Sequence, residues 1–410
     1  MEQNSAYAAG PRAPTKGRGT LSNRSGRFER FSREPAIPHG VRDWTRDRVR
    51  DWAPGDGMPD GGISGDGGVP PLRTTVTHER PKRILTRNQS PDIPFDRSIN
   101  PYRGCEHGCV YCYARPAHAY MGLSAGLDFE SRLFAKPDAA VLLRWELSRP
   151  GYDCAPIAFG TNTDPYQPIE KRYAITRDLL RLLLETGHPA TIVTKSHLIV
   201  RDLDILAAMA ARGLVKVALS VTTLDRGLAR IMEPRASTPQ RRLDAIRLLS
   251  EAGVPTGVMV APVIPAINDE QIETILAAAA HAGAGETGYI LLRLPGEVAG
   301  LFREWLETHF PDRASRVLSR LAALRGGRLN DPRFVHRMRG KGFEADLMKQ
   351  RFEKTVRRLG LNRLSSKLRT DLFVPPAVPP GGGGGSARSG RSGGSGKSAT
   401  GRDRRQLSLF

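Results

Sequence analysis

Short β-branched runs alternate with longer amphipathic runs through the middle of this sequence, an order that few folds satisfy besides a parallel sheet with crossover helices. The apolar runs are Ile157–Phe159, Thr191–Thr194, Val215–Val221, Gly257–Val263 and Tyr289–Leu294, and a further strand is expected to end near Tyr102. Helix signals fall between them. Thr238 stands as a cap with Pro239 at the first helical position and Gly253 past the end, while Asp202 and Gly213, Thr176 and Gly187, and Asn268 and Gly283 bracket three more helices. These regular βα units predict an α/β fold, a partial (β/α)6 TIM-like barrel, with chemistry gathered at the C-terminal ends of its strands.

The flanks read differently. Residues 1–75 are rich in Arg, Gly, Asp and Pro without an apolar period, so they are expected to be a disordered basic region that buries too little surface to offset the entropy of ordering. Residues 76–361 are expected to hold the barrel and a C-terminal extension. Residues 362–410 read as a flexible tail that from Pro375 becomes a Pro hinge and a Gly/Ser linker studded with Arg and Lys. With 62 Lys and Arg against 42 Asp and Glu, the net charge is +20, which suits a polyanionic partner such as nucleic acid. The same charge also arises from a generally Arg-rich composition. No leader-like basic-then-apolar start and no membrane-length apolar run occur, so a cytoplasmic protein without membrane contact is expected.

Three of the four cysteines, Cys105, Cys109 and Cys112, fall within one CxxxCxxC loop expected to follow a strand. Such crowding argues for metal ligation in a reducing compartment rather than for disulfides. Three thiolates hold three irons of a cubane and leave the fourth iron open to a reactant. A zinc site with His107 or His118 as fourth ligand is the alternative, although zinc sites usually pair close ligands from two separated segments. A ferredoxin run would need another Cys where Pro116 stands.

The stretch SINPYRGCEHGCVYCYARP, residues 98–116, with Tyr111 immediately before the last cysteine, resembles the cluster motif of the radical S-adenosylmethionine (SAM) superfamily and, within it, the spore photoproduct lyase-like branch. The similarity runs from about Arg83 to Leu361 and includes the segment RLNDPRFVHRMRGKGFEADL. The resemblance implies a four-iron four-sulfur cluster on Cys105, Cys109 and Cys112 whose open iron takes the amino and carboxylate groups of SAM. One-electron cleavage of SAM then gives a 5′-deoxyadenosyl radical that abstracts hydrogen from a substrate. A reductant such as flavodoxin or ferredoxin is implied as a partner.

Further roles follow from the same resemblance. Lys195 and Ser220 match positions that hold the SAM carboxylate, Thr163 and Asp164 lie where the superfamily binds the methionine amino group, and Arg235 and Glu233 contact cofactor or substrate or else pair with each other. Tyr111 and Tyr113 flank the last cysteine as catalytic candidates, since tyrosines in that arrangement serve radical relay. The branch's cysteine hydrogen donor has no counterpart in the strand Ile157–Phe159, and Cys154, just before it, is expected to be an inert structural thiol.

The C-terminal residues Gln406 to Phe410 read QLSLF, similar to the peptide by which bacterial repair proteins dock into a sliding clamp. A linker of about 30 residues has a reach of roughly 30 Å, enough for such a peptide to act as a tether. The leading expectation is therefore a radical SAM enzyme, lyase-like, acting on nucleic acid in DNA repair or base modification. Two other readings stay open: the same chemistry on a protein or small-molecule substrate, and a non-catalytic iron–sulfur or zinc scaffold that binds nucleic acid.

Overall fold

The computed structural model describes residues 14–29, 72–363 and 367–377. Ten strands form two sheets. They are β1 (Thr75–His78), β2 (Leu85–Arg87), β3 (Arg97–Ile99), β4 (Tyr102–Arg103), β5 (Arg132–Ala135), β6 (Ile157–Phe159), β7 (Ala190–Thr194), β8 (Val215–Ser220), β9 (Thr256–Val263) and β10 (Glu286–Leu291). The large sheet runs β10-β9-β8-β7-β6-β3-β2, every neighbouring pair parallel except the antiparallel edge β2–β3. Six parallel strands in sequential order, open between β10 and the β2 edge, are the partial (β/α)6 barrel that the alternation predicts. The first strand is displaced from its expected end. The large-sheet strand stops at Ile99, and Tyr102–Arg103 instead pair with β5 in a small sheet ordered β1-β5-β4.

Each crossover puts an amphipathic helix on the outer face. The helices Ile175–Glu185, Leu203–Ala211, Pro239–Glu251 and Ile272–His281 bury Leu179, Leu206, Ile246 and Ile275 against strand residues such as Ile192, Val217, Val258 and Tyr289. Pro239 takes the first helical position, as expected. Asp202 and Asn268 do other work than capping: the Asp202 carboxylate pairs with Arg177 and Arg201, and the Asn268 amide bonds the Thr222 and Pro262 carbonyls. After β10 the helices Val298–His309 and Pro311–Ala323 bury Trp305, Phe302 and Val317 beneath the cysteine loop, and Phe343–Leu359 packs along Ile272–His281. No described helix is long and apolar enough to cross a membrane.

Where they are described, both flanks contact the core. Residues 14–29 lie across the cysteine loop, and Gly19 approaches so closely that a Cβ there would sit 1.7 Å from the Gly108 carbonyl oxygen. Past the last helix, the Arg369 and Val374 N–H groups donate to the carbonyls of Gly213 and Thr186, and the Phe373 ring packs 5.2 Å from His188. Gly187 has φ +64 and a side chain there would strike the Leu372 carbonyl, so the returning segment requires glycine at that corner. Gln406–Phe410 lie outside the described residues.

Candidate active site at the C-terminal strand edge

The cysteine loop leaves β4 and turns on Gly104 and Gly108. Its backbone is pinned from several directions. Cys105 N–H donates to Phe129 O, Val110 N–H to Met232 O, and Cys112 N–H to Cys109 O. Fully buried Arg115 donates from Nε and Nη2 to the Cys109 carbonyl, from Nη1 to the Ala125 and Gly126 carbonyls, and from Nη2 to Glu130 at 2.6 Å. Gln167 bridges the loop, accepting from Glu106 N–H at 3.0 Å and donating to Gly104 O at 3.1 Å. Such bonds fix where the three Cβ atoms point, which a reactive centre needs before any ligand arrives.

Cys105 and Cys109 are buried, Cys112 is partly exposed, and none of the three is in a disulfide. Burial pushes the Cys105 thiol well up and, with the Glu233 charge adding, the Cys109 thiol up to about 12. A buried thiol of that kind stays protonated until a metal replaces the proton. The three sulfurs sit near enough to act on one another's charge. Among the described residues, however, no three His, Cys, Asp or Glu side chains converge as they would around one ion. Three thiols on one loop are a donor set that a cubane can use, one on each of three irons, whereas one zinc gathers its ligands at about 2.3 Å. Each histidine offered as a fourth zinc ligand has one ring nitrogen engaged. His107 Nδ1 faces Asp164 Oδ2 at 3.3 Å, and His118 Nε2 faces the Arg132 carbonyl at 2.9 Å.

Around the loop stand the ends of the other strands. Lys195 follows β7, and its Nζ lies 5.8 Å from the Tyr111 ring centroid without an ion pair among the described residues. Ser220 closes β8 and is 4% exposed. Thr163, after β6, is buried with its hydroxyl donating to Tyr102 O at 3.3 Å. The three lie at or just past the C-terminal ends of β8, β7 and β6. Asp164 does not behave as an open acceptor: Oδ1 accepts from Thr194 Oγ1 and Tyr166 N, and Oδ2 from Lys195 N while facing His107. Burial alone would raise its pKa, but His107 and Thr194 outweigh it and hold the carboxyl at about 2. Asp164 thereby links β6, β7 and the cysteine loop.

Of the two alternatives for Glu233 and Arg235, mutual pairing is not what the structure shows. Glu233, fully buried, pairs with Arg242 and accepts from Thr222 and from the Tyr111 hydroxyl. Arg235 instead pairs with Glu106 at 3.2 Å. The two tyrosines consequently differ. Tyr111 is locked into this buried network, while Tyr113 is 46% exposed, with its hydroxyl donating to Thr161 O and the Arg293 guanidinium over one face at 5.2 Å. Cys154 precedes β6 at the opposite edge of the sheet, where burial pushes its thiol up to about 11.

Arg115, Glu130, Gln167, Arg242 and the segment 14–29 were not legible as site residues. Glu130 and Arg115 lie in ordinary-looking stretches, and only the fold brings them together.

Comparison with known proteins finds several likenesses. A model of the radical SAM superfamily matches residues 99–279. An uncharacterized protein of Mycobacterium tuberculosis is 41% identical over 226 residues, 55% of this chain and 66% of its own length. An uncharacterized protein of Methanocaldococcus jannaschii is 26% identical over 52% of this chain and 76% of its own. The chain thus spans just under two thirds of the mycobacterial relative that it matches. Among solved structures, spore photoproduct lyase complexed with dinucleoside spore photoproduct superposes with a TM-score of 0.49 at 16% identity, covering 70% of this chain and 80% of that one.

Proposed function

Residues 99–279 form a radical SAM domain, in a superfamily that uses a four-iron four-sulfur cluster and SAM, and on that premise we propose that this chain is a radical SAM enzyme acting on nucleic acid in a cytoplasmic setting. The observation that carries the reading is the meeting, at one strand edge, of three unpaired thiols on a fixed loop with a lysine that has no ion-pair partner among the described residues. Cys105, Cys109 and Cys112 hold the cluster, which when bound supplies the electron that cleaves SAM to a 5′-deoxyadenosyl radical. Lys195 and Ser220 receive the SAM carboxylate, and the backbone and hydroxyl of Thr163 border its amino end. Asp164, Gln167 and Arg115 keep that geometry. Tyr113, open to the mouth, faces substrate, whereas Tyr111 orders the loop through Glu233.

The nucleic-acid part is supported by the net charge of +20. Recruitment through Gln406–Phe410 and reduction by a flavodoxin or ferredoxin complete the proposal. Anaerobic reconstitution followed by an assay for 5′-deoxyadenosine, in the presence of SAM and reductant, tests the chemistry. Crosslinking to nucleic acid in cells tests the substrate class. Turnover without any crosslink would turn the reading towards a protein or small-molecule substrate.

A further inference from the structure

Arg293 stands two residues past the end of β10, opposite the cysteine loop. Its Nε is closed off from solvent and has no hydrogen-bond partner among the described residues, and its Nη1 reaches the Met338 sulfur at 3.7 Å. A buried guanidinium donor without an acceptor is unfavourable, and the side chain is only partly buried, so its charge is open to an anion at the surface. The acid that acts on it, Asp92, is already held by Arg337 Nε at 2.7 Å.

The surrounding surface repeats one construction. Arg293 covers one face of Tyr113 at 5.2 Å, and Arg337 covers one face of Phe334 at 4.9 Å. Yet the rings remain 46% and 49% exposed. The two pairs are neighbours, because Arg293 Nη1 touches the sulfur of Met338, the residue after Arg337. Their backbone is held rigidly. Arg325 donates to the carbonyls of Leu291 and Leu292 and to those of His336 and Arg337, tying the end of β10 to the turn that carries Phe334. In that turn Val335 adopts φ +68, a conformation costly for a β-branched residue, with its N–H donating to Asp92. Exposed rings on a strained, braced turn are an arrangement for contact rather than for packing.

We propose that Tyr113 and Phe334, each backed by an arginine on one face, form a stacking platform for unpaired nucleotides at the mouth of the site, with Arg293 taking a phosphodiester oxygen. The chemistry selects single strands: flat rings stack on any exposed base but cannot reach bases inside a duplex, and a lone guanidinium pairs with backbone phosphate. The surface deepens the nucleic-acid reading above and rests on it.

The test uses the full chain and a short fluorescent oligothymidylate, with binding read by anisotropy across a salt series and a melting curve for every variant. Phe334→Ala should weaken single-strand binding roughly tenfold with the salt dependence unchanged, because stacking is lost and no phosphate contact is. Arg293→Gln should weaken binding and lower the slope of log affinity against log salt by roughly 0.7, the loss of one phosphate contact. A duplex of the same length should be indifferent to Phe334→Ala. Wild-type binding that neither substitution changes, at unaltered melting temperature, overturns the platform alone. SAM cleavage without any single-strand binding by the wild type overturns the nucleic-acid reading itself.

Discussion

The backbone N–H of Gly19 donates to Glu130 Oε2 at 2.9 Å, joining residues 111 positions apart. Thr20 donates to Oε1 from both N–H and hydroxyl, Arg18 donates to the Glu130 carbonyl, and Arg115 completes the carboxylate's shell. One fully buried carboxylate thus fastens the segment 14–29 to the cysteine loop through Arg115 and the Cys109 carbonyl.

Glu130→Gln leaves the Arg115 guanidinium buried without its counter-charge, and breaking such a pair costs about 3–5 kcal/mol. A urea titration should show that loss. Deleting residues 1–29 should instead leave the sheet folded while a reconstituted cluster bleaches severalfold faster in air, because the loop loses the segment lying over Gly108. Equal bleaching rates would make the segment a passive cover.

Lys195→Ala should weaken SAM binding by roughly tenfold or more, the scale of one charged hydrogen bond, at an unchanged melting temperature. Asp164→Asn should do the reverse. Its amide would face the Lys195 N–H and His107, so the melting temperature should fall. Isothermal titration beside thermal melts separates the two, and a Lys195→Ala protein with wild-type affinity would remove Lys195 from the SAM site.

Stability should fall in mild acid. His188 is fully buried, with Nδ1 facing the Pro189 carbonyl and Nε2 facing the Tyr152 hydroxyl at 2.9 Å, an arrangement that suits the neutral ring. Burial lowers its pKa to about 4, and that of His118 likewise. The unfolded chain takes up these protons below about 6.5, while the native state refuses them until about 4. The contribution is therefore complete above the unfolded value and is lost as pH falls towards the folded one, by up to about 3 kcal/mol per histidine. Denaturant midpoints at neutral and mildly acid pH should show the loss, and His188→Gln should reduce it.

The alternation of β-branched and amphipathic runs made the open barrel legible, because each buried strand and each one-faced helix writes its period into neighbouring residues. The positions of Lys195, just past β7, and Ser220, at the end of β8, were legible for the same reason. The partners of Asp164 and Glu233 were not. Asp164 is saturated by donors from β7 and the cysteine loop, and Glu233 turns to Arg242 on the next helix rather than to Arg235 nearby. Nor was the segment 14–29, whose glycine and small polar residues carry no period. It is ordered by side-chain-to-backbone bonds to Glu130, and a composition rule registers only the apolar surface it lacks.

The central claim is that Cys105, Cys109 and Cys112 hold a cluster with one iron open to SAM. Anaerobically reconstituted protein, reduced and examined by electron paramagnetic resonance with iron and sulfide counted per chain, tests it directly. Wild type and Cys154→Ala should give a reduced-cluster signal that changes when SAM is added, and substituting Ala at Cys105, Cys109 or Cys112 should abolish that response. One zinc per chain with no iron–sulfur signal, or a signal indifferent to SAM, would contradict it.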